Sequence, residues 1–328
     1  MVPSAAFVGL TTLDLIYSVE TYPTENKKIV ARRQGMYAGG PATNAAAAFA
    51  SLGGRSRLIS AKGQTAASYM ILNDLSKLLV EIVDLAGDDF VPSISSIAVS
   101  EATGSRTVVS TNATTTSPQG SGFLPAMLDD VSLVLVDGHN LDLCIEAAKC
   151  ASEAGIHVVF DGGSWKTGTE NLLRHVDTAI CSEDFVPPHL TSPSVDTILS
   201  YLSQLVRRAA LTRGARPVLF REGPLHGEVP VPGTEVVDTL GAGDIYHGAF
   251  CYYHLMKPGQ PFAELLAEAA KVASLSCAHF GPREWATQYH RARTSAPEGG
   301  SGDRSDYVVP LEPGQSPCTP PERGGLRH

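Results

Sequence analysis

Short apolar runs alternate with helix-like stretches through the middle of the chain. The strand-like runs are residues 131–137, 156–161 and 178–182, and the helix-like stretches between and after them are residues 141–154 and 195–210. Two strands joined by a helix pair in parallel, because the crossover returns the chain to the same edge of the sheet. This order predicts an α/β fold with a doubly wound, mostly parallel sheet.

Two β-rich stretches lack covering helices. Short strands are expected within residues 15–33, and a hairpin is expected within residues 94–111. We therefore predict a second, small sheet built from strands within about residues 12–38 and 94–112. The predicted domain spans residues 1–290, and residues 291–328 are expected to be a flexible tail because Pro, Gly, Ser and charged residues dominate there.

The composition is that of a globular protein, with 43 % hydrophobic and 18 % charged residues among 328. The net charge of −9 argues against nucleic acid or an anionic membrane as the main partner. No apolar run approaches the roughly 18–20 residues that span a bilayer, and the first residues do not resemble a signal peptide. The six cysteines form no CxxC pair, so reduced thiols in a cytoplasmic protein are expected.

The segment 238–244, DTLGAGD, carries the first candidate site. An apolar strand runs into Gly241, Ala242 and Gly243, and an apolar helix follows. The first amides of a helix lack intrahelical partners and lie at its positive end, so this turn can bind a phosphate. Asp244 beside such a turn could accept a proton from an attacking hydroxyl. On this segment alone, a simple helix-capping role for Asp244 is equally plausible.

A second tight turn, GGPATN at residues 39–44, also precedes a helix. Asn44 could reach outward to a hydroxyl, or it could stabilise the turn. Asp14 follows the first strand, at the edge where open α/β sheets bind ligands, although a turn-capping role would also explain it.

The two turns together resemble the two signatures of the ribokinase-like (PfkB) carbohydrate kinases. The motifs are GGPATN near residue 40 and VDTLGAGD near residue 240, and the likeness covers about residues 5–285. Within the family, residues 9–26 and 102–109 look similar to ketohexokinase, and residues 9–32 with both motifs also look similar to sulfofructose kinases. The resemblance implies a ribokinase-like fold whose small sheet is a lid. It also implies ATP-dependent phosphorylation of a ketose or another sugar derivative.

The family pattern implies a role for each matching residue. Asp244 would be the general base, and the amides of Gly241, Ala242 and Gly243 would form the anion hole. The acceptor hydroxyls would be held by Asp14, Asn26, Gly39, Gly40, Asn44 and Asp244, and Arg106 would reach in from the lid. The nucleotide would lie near Thr212, Gly214, Gly241, Gly243, Ala273 and Gly281.

The same resemblance implies Mg²⁺ bound to the ATP phosphates and a monovalent cation, K⁺, near Asp238 and Gly281. It also implies a homodimer formed through the lid. Ser182 and Phe185 replace the Asn and Glu of an Asn-x-x-Glu motif found in many relatives, which leaves Glu183, acting through water, as the protein's contact to magnesium.

The acceptor is less sharply indicated. Residues 62–65 replace the usual GxDxxG, and Pro41 replaces an Asn that touches the sugar in ketohexokinase, which weighs against fructose. Lys28 and His139 are further candidates for choosing the acceptor. Two alternatives stay open: a nucleoside kinase, with Tyr17, Tyr22 or Tyr37 stacking on the base, and a non-catalytic sensor of sugars or nucleotides.

Overall fold

The structure is a computed structural model that describes residues 2–87, 89–111 and 122–294. These residues form thirteen strands: β1 (Ser4–Val8), β2 (Thr12–Val19), β3 (Arg33–Gly39), β4 (Arg55–Ser60), β5 (Glu81–Asp84), β6 (Ser93–Ser100), β7 (Arg106–Val109), β8 (Leu133–Val136), β9 (His157–Gly162), β10 (Thr178–Ser182), β11 (Arg208–Arg213), β12 (Arg216–Glu222) and β13 (Leu225–Val229). They also form eight α-helices: α1 (Pro41–Ser51), α2 (Ala66–Ser76), α3 (Leu141–Glu153), α4 (Thr169–Leu173), α5 (Val195–Leu205), α6 (Ala242–Met256), α7 (Phe262–Cys277) and α8 (Glu284–Thr294).

The predicted large sheet is confirmed, and it contains nine strands in the order β13-β12-β11-β10-β9-β8-β1-β4-β5. All neighbours are parallel except the β11–β12 and β12–β13 pairs. Successive strands are added in one direction from β1 to β5 and in the other from β8 to β13. The order therefore reverses between β1 and β8, and ligands of open α/β sheets bind at the carboxyl ends of the strands at such a point.

Alternate residues of β1 show that the sheet is covered on both faces. Ala5 and Phe7 pack in a cluster with α1, α6 and α7, whereas Ala6 and Val8 pack in a second cluster with α3 and α5. Successive side chains of a strand point to opposite faces, so the domain has three layers with the sheet in the middle. Both faces are apolar, as expected for a parallel sheet.

The predicted small sheet is also confirmed, with the strand order β3-β2-β6-β7. The β6–β7 pair is the expected hairpin, whereas the central β2–β6 pair is parallel. Ile16, Ile97 and Val99 pack against Phe280, which follows α7, so this apolar face attaches the small sheet to the main domain.

Three sequence expectations were wrong. The strand expected to lead into Gly241 is absent, since residues 230–239 form neither helix nor strand. Residues 29 and 30 do not form a strand; the second strand of this region begins at Arg33, and Val30 is exposed. The helix expected over residues 195–210 ends at Leu205, and residues 208–213 form β11 instead. The buried run Ala209–Leu211 pairs with β10 and β12. A short apolar run of this kind does not reveal by periodicity whether it is helix or strand.

Other expectations concern the termini, the cysteines and the membrane. In the described part of the chain, no helix has the length and apolar character needed to cross a bilayer. Cys144, Cys150, Cys181, Cys251 and Cys277 are unpaired, and Cys318 lies outside the described residues. Most of the predicted tail, residues 295–328, also lies outside them.

Helices α1 and α6 pack at very short range. A Cβ on Gly248 of α6 would lie 2.3 Å from the carbonyl oxygen of Ala45 and 2.8 Å from the Cβ of Ala48, both on α1. The buried face of α1 is built largely of alanine, so the two backbones can approach each other closely. This contact places the beginnings of the two helices side by side.

We expect Gly248→Ala to destabilise the protein by about 1–3 kcal/mol, because the added methyl group collides with backbone that must shift. Urea unfolding of the two proteins measures the difference in the free energy of unfolding. The matched control is Gly233→Ala, since Gly233 is exposed and its Cβ would have no atom within 4 Å. A loss no larger than the control's change of about 0.5 kcal/mol or less would contradict the close-packing argument.

Candidate active site

The turn at Gly241 has the geometry predicted for an anion site. Gly241 has a φ of 70° and precedes the first helical residue, Ala242, and no side chain of the described residues caps this end of α6. A left-handed φ favours glycine. Gly243 is exposed, and a Cβ placed on it would have no atom of the described residues within 4 Å. The positive end of α6 is therefore open to a ligand.

The second turn meets the first through one hydrogen bond. The side-chain amide of Asn44 donates to Oδ2 of Asp244, with Nδ2 and Oδ2 2.9 Å apart. Oδ1 of Asp244 has no hydrogen-bond partner among the described residues. The structure thus brings the two predicted motifs together, and it leaves one oxygen of the candidate base available to a substrate hydroxyl.

The pKa of the half-buried Asp244 is raised from its ordinary value of 3.8, chiefly because burial disfavours the charged carboxylate. The hydrogen bond from Asn44 opposes this shift, and so do the charges of His247 and Arg106. Asp244 is therefore a carboxylate with raised basicity whose charged form is still stabilised by one donor, Asn44, and by nearby positive charge.

Asp14 lies on β2 of the small sheet, close enough to Asp244 for the two carboxylates to interact electrostatically. It is 6 % exposed, accepts a hydrogen bond from the Thr12 hydroxyl at 2.8 Å, and has a pKa raised mainly by burial. Gly39 is needed beside it, since a Cβ there would lie 2.0 Å from Oδ2 of Asp14. Gly40 has a φ of 98°, and its Cβ would lie 2.3 Å from the carbonyl oxygen of Leu10. Pro41 occupies the first position of α1, where no amide is needed.

Arg106 connects the small sheet to the segment that leads into the turn at Gly241. Its Nη1 donates to the hydroxyl and the carbonyl oxygen of Thr239, at 3.1 and 3.2 Å. The Thr239 hydroxyl in turn donates to the carbonyl oxygen of Gly104, in the turn between β6 and β7. Arg106 therefore lies where the β6–β7 hairpin meets the segment before Gly241, and its role toward a substrate or phosphate stays a prediction.

Asp238 braces the same loop. Its carboxylate accepts hydrogen bonds from the amides of Leu240 and Gly281, both at 2.8 Å, and its side chain is almost fully buried. Burial is the main cause that raises its pKa. Both oxygens are thus used to join two loops, and a monovalent cation at Asp238 and Gly281 stays a prediction.

The order-reversal point of the sheet is held by Asp137, which follows β8. Oδ2 accepts from the amides of Leu10 and Ala42, at 2.9 and 3.1 Å, and Oδ1 accepts from the amide of His139 at 2.8 Å. The carboxylate thus ties β1, β8 and the beginning of α1 together. The half-buried His139 has a pKa lowered mainly by burial, which disfavours a cationic role in anion binding.

A buried pair lies one turn into α6. Nδ1 of His247 is 2.7 Å from the carbonyl oxygen of Gly243, and Nε2 is 2.9 Å from that of Ile180. Carbonyl oxygens only accept, so a ring nitrogen can hydrogen-bond to either of them only when it carries a proton. Oδ2 of Asp161 lies 3.3 Å from Nδ1 and makes no hydrogen bond within the described residues. Burial raises the pKa of Asp161 to about 7 despite this contact.

The remaining residues predicted to bind the nucleotide or the acceptor lie on several separate elements. Thr212 is the penultimate residue of β11 and donates to the carbonyl oxygen of Cys181 at 3.3 Å, and Gly214 has a φ of 63° in the following turn. Ala273 lies on α7 against the core. Asn26 has a φ of 58° in the exposed loop between β2 and β3, and no hydrogen bond among the described residues joins it to Asp244.

Residues 182–185, which replace the Asn-x-x-Glu motif, have few side chains available to bind a metal ion. Phe185 is fully buried in the core, and the Glu183 carboxylate pairs with Arg216. Within residues 2–87, 89–111 and 122–294, no three His, Cys, Asp or Glu side chains converge to hold a metal ion. The magnesium contact through Glu183 stays a prediction.

Sequence reasoning missed Arg283, His247, Asp161 and Asp137. Arg283 donates to the side-chain oxygen of Asn44 at 3.0 Å and so contacts the centre of the site from the segment after α7. Asp137 follows β8 and Asp161 lies near the end of β9, both at the carboxyl edge of the large sheet, and that position was the available signal. His247 follows Asp244 by three residues inside an apolar helix, where a polar side chain needs a partner.

Comparison with known proteins places this site in context. Residues 2–288 match the model of the pfkB family carbohydrate kinases. Ribokinase from Arabidopsis thaliana is 26 % identical over 298 residues, covering 83 % of this chain and 76 % of that protein. Ketohexokinase from Mus musculus is 23 % identical over 288 residues, covering 82 % and 94 %.

A solved structure has the same fold. The structure of Arabidopsis thaliana ribokinase complexed with ribose and ATP superimposes with a TM-score of 0.67 and 22 % identity, covering 86 % of this chain and 94 % of that one. The ribokinase-like fold predicted from the two motifs is thereby confirmed.

The buried Asp161 carboxyl should make stability depend on pH. The folded carboxyl keeps its proton up to about pH 7, whereas the unfolded one loses it near its ordinary pKa of 3.8. Unfolding then releases a proton between these values, so rising pH favours the unfolded chain. Relative to Asp161→Asn, we expect the wild-type free energy of unfolding to fall by at most about 4 kcal/mol from about pH 4 to about pH 7. Urea unfolding across this range measures it, and a constant difference between the two proteins would refute the raised pKa.

Proposed function

This chain belongs to the pfkB family of carbohydrate kinases, and on that premise we propose that it transfers a phosphoryl group from ATP to a hydroxyl of a sugar or sugar derivative. The observation that carries the proposal is the 2.9 Å hydrogen bond between Asn44 and Asp244. It joins a candidate acceptor-binding turn to a candidate phosphate-binding turn, and phosphoryl transfer requires both at one point.

Asp244 is the proposed general base. Its free oxygen accepts the proton of the acceptor hydroxyl as the oxygen attacks the γ-phosphorus. Burial raises the pKa of Asp244 above 3.8, which makes the carboxylate a better base near neutral pH. Asn44 keeps Oδ2 occupied and thereby fixes the direction of the other oxygen.

The residues 241–243 are the proposed anion hole. Their amides at the positive end of α6 stabilise the charge on the transferring phosphoryl group. The space above Gly243 fits such a group, because no atom would lie within 4 Å of a Cβ there. Arg106, held at Thr239, places a cation at the rim of the same turn. ATP with its Mg²⁺ supplies the phosphoryl group and neutralises part of the phosphate charge.

The proposed acceptor site lies under the small sheet. Asp14, Asn44 and the turn at Gly39 and Gly40 would hold hydroxyls of the acceptor, and β2 and β3 would cover them as a lid that excludes water. A homodimer through the lid would also cover Met36 and Val109, which are exposed and in register on one face of this sheet.

A screen for ADP release tests the reaction and the acceptor together. Ketoses, sugar phosphates, sulfosugars and nucleosides are each offered with Mg²⁺ and ATP, and we expect turnover on at least one sugar or sugar derivative. Turnover on nucleosides alone would replace the proposed acceptor class by the nucleoside alternative. ATP binding without turnover on any acceptor would favour the non-catalytic sensor and overturn the proposed function.

We expect Asp244→Asn to lower kcat by about 10²–10⁴-fold while ATP binding is retained, because the amide cannot accept the hydroxyl proton. Asp142→Asn is the matched control. Asp142 also lies in the first turn of a helix, but it is exposed on α3 and is not among the groups that shift the pKa of Asp244. Equal activity of Asp244→Asn and the wild type would exclude Asp244 as the base.

A further inference from the structure

Arg283 makes an unusual set of contacts behind the proposed base. Nη1 donates to Oδ1 of Asn44 at 3.0 Å, Nη2 donates to the carbonyl oxygen of Ala38 at 2.7 Å, and Nε lies 3.3 Å from Oδ2 of Asp74. The same Asp74 oxygen accepts from the amide of Ala38 at 3.0 Å. The side chains of Arg283 and Asp74 are 11 % and 13 % exposed, so this ion pair is largely shielded from water.

The Arg283 contact determines which way the Asn44 amide faces. A guanidinium group only donates hydrogen bonds, so the Asn44 atom that faces it must be the oxygen. The nitrogen of Asn44 then faces Asp244 and donates to it. A reversed amide would set NH₂ against the guanidinium and oxygen against the carboxylate, and both contacts would be repulsive.

We propose that Arg283 is a positioning residue for the Asp244 base, acting through Asn44, and that Asp74 holds the guanidinium in place for this task. The inference rests on the proposed function, since it assigns a role in that reaction. Through Ala38 the same side chain also holds the end of β3, where the chain leaves the small sheet and enters the turn before α1. One guanidinium therefore fixes both the side chain of Asn44 and the strand that leads to it.

The geometry requires arginine rather than any cation. Three nitrogens of one planar group each meet a different acceptor. Lysine could keep an ion pair with Asp74, but its single nitrogen could not also hold Asn44 and Ala38 in the same arrangement. Arg283→Lys therefore removes the positioning contact while it leaves a positive charge against the shielded carboxylate, which limits the loss of stability.

The role in positioning predicts a change that a purely structural brace would not cause. The hydrogen bond from Asn44 lowers the pKa of Asp244 against the effect of burial. When Asn44 is free to turn away, this donor is lost and the pKa of the carboxylate rises. The acidic limb of the kcat–pH profile should then move to higher pH in Arg283→Lys, with KM for ATP unchanged, whereas a structural brace would lower only the unfolding midpoint.

A double-mutant cycle on Arg283→Lys and Asn44→Ala tests the proposal. We expect Arg283→Lys alone to lower kcat by about 10- to 100-fold, since small misplacements of a reacting group are costly. In the Asn44→Ala background the same change should lower kcat by less than about 2-fold, because the contact through which it acts is gone. The control is Arg221→Lys, in which an arginine paired with Asp196 at 2.9 Å is replaced away from the site.

An equal loss of kcat in both backgrounds, or an unmoved acidic limb, would overturn the positioning role. Urea unfolding of the same four proteins separates this failure from failure of the proposed function. If the wild type turns over no acceptor, both the proposed reaction and the positioning role of Arg283 in it are refuted. The unfolding midpoints then still decide whether the Arg283–Asn44 contact exists: changes that do not add support it, and additive changes refute it.

Discussion

The close contact between α1 and α6 is the constraint on which the site depends. Gly248 lets the backbone of α6 approach Ala45 of α1, so the two helices begin at the same point of the sheet edge. Asn44 and Asp244 are 200 residues apart in the chain but lie one hydrogen bond apart in space. A wider helix spacing would separate the two turns, and neither turn alone holds both an acceptor and a phosphoryl group.

The site concentrates carboxyl groups where few are exposed to water. Asp14, Asp137, Asp161 and Asp244 all lie near the point where the strand order reverses, and for three of them burial raises the pKa. Three of them accept hydrogen bonds: Asp137 from backbone amides, Asp244 from the Asn44 side chain, and Asp14 from the Thr12 hydroxyl. The charges of His247 and Arg106 act on Asp244 directly, whereas Arg283 reaches it through Asn44. The proposed base therefore has its charged form partly stabilised.

The fold and the two central motifs were predictable because each is a local pattern. Glycines at 39, 40, 241 and 243 mark turns into helices, and the strand–helix alternation marks the sheet. Arg283 was not predictable, because its role depends on the spatial meeting of α7's end with β3 and α1. His247 and Asp161 belong to different strand–helix units, so their contact follows from packing alone. The strand at 208–213 was mistaken for helix because tertiary pairing, not local pattern, decides such a run.

The central pair of the small sheet is parallel, and this has a consequence for how the chain folds. β2 and β6 pair along their whole length, yet β3, α1, β4, α2 and β5 lie between them in the chain. A parallel pair cannot close as a hairpin, and non-local pairing is slow because the entropy of loop closure precedes the gain from contacts. Pairing of β2 with β6 therefore closes a loop that contains part of the main domain, and Ile16 meets Ile97 only once that loop is closed.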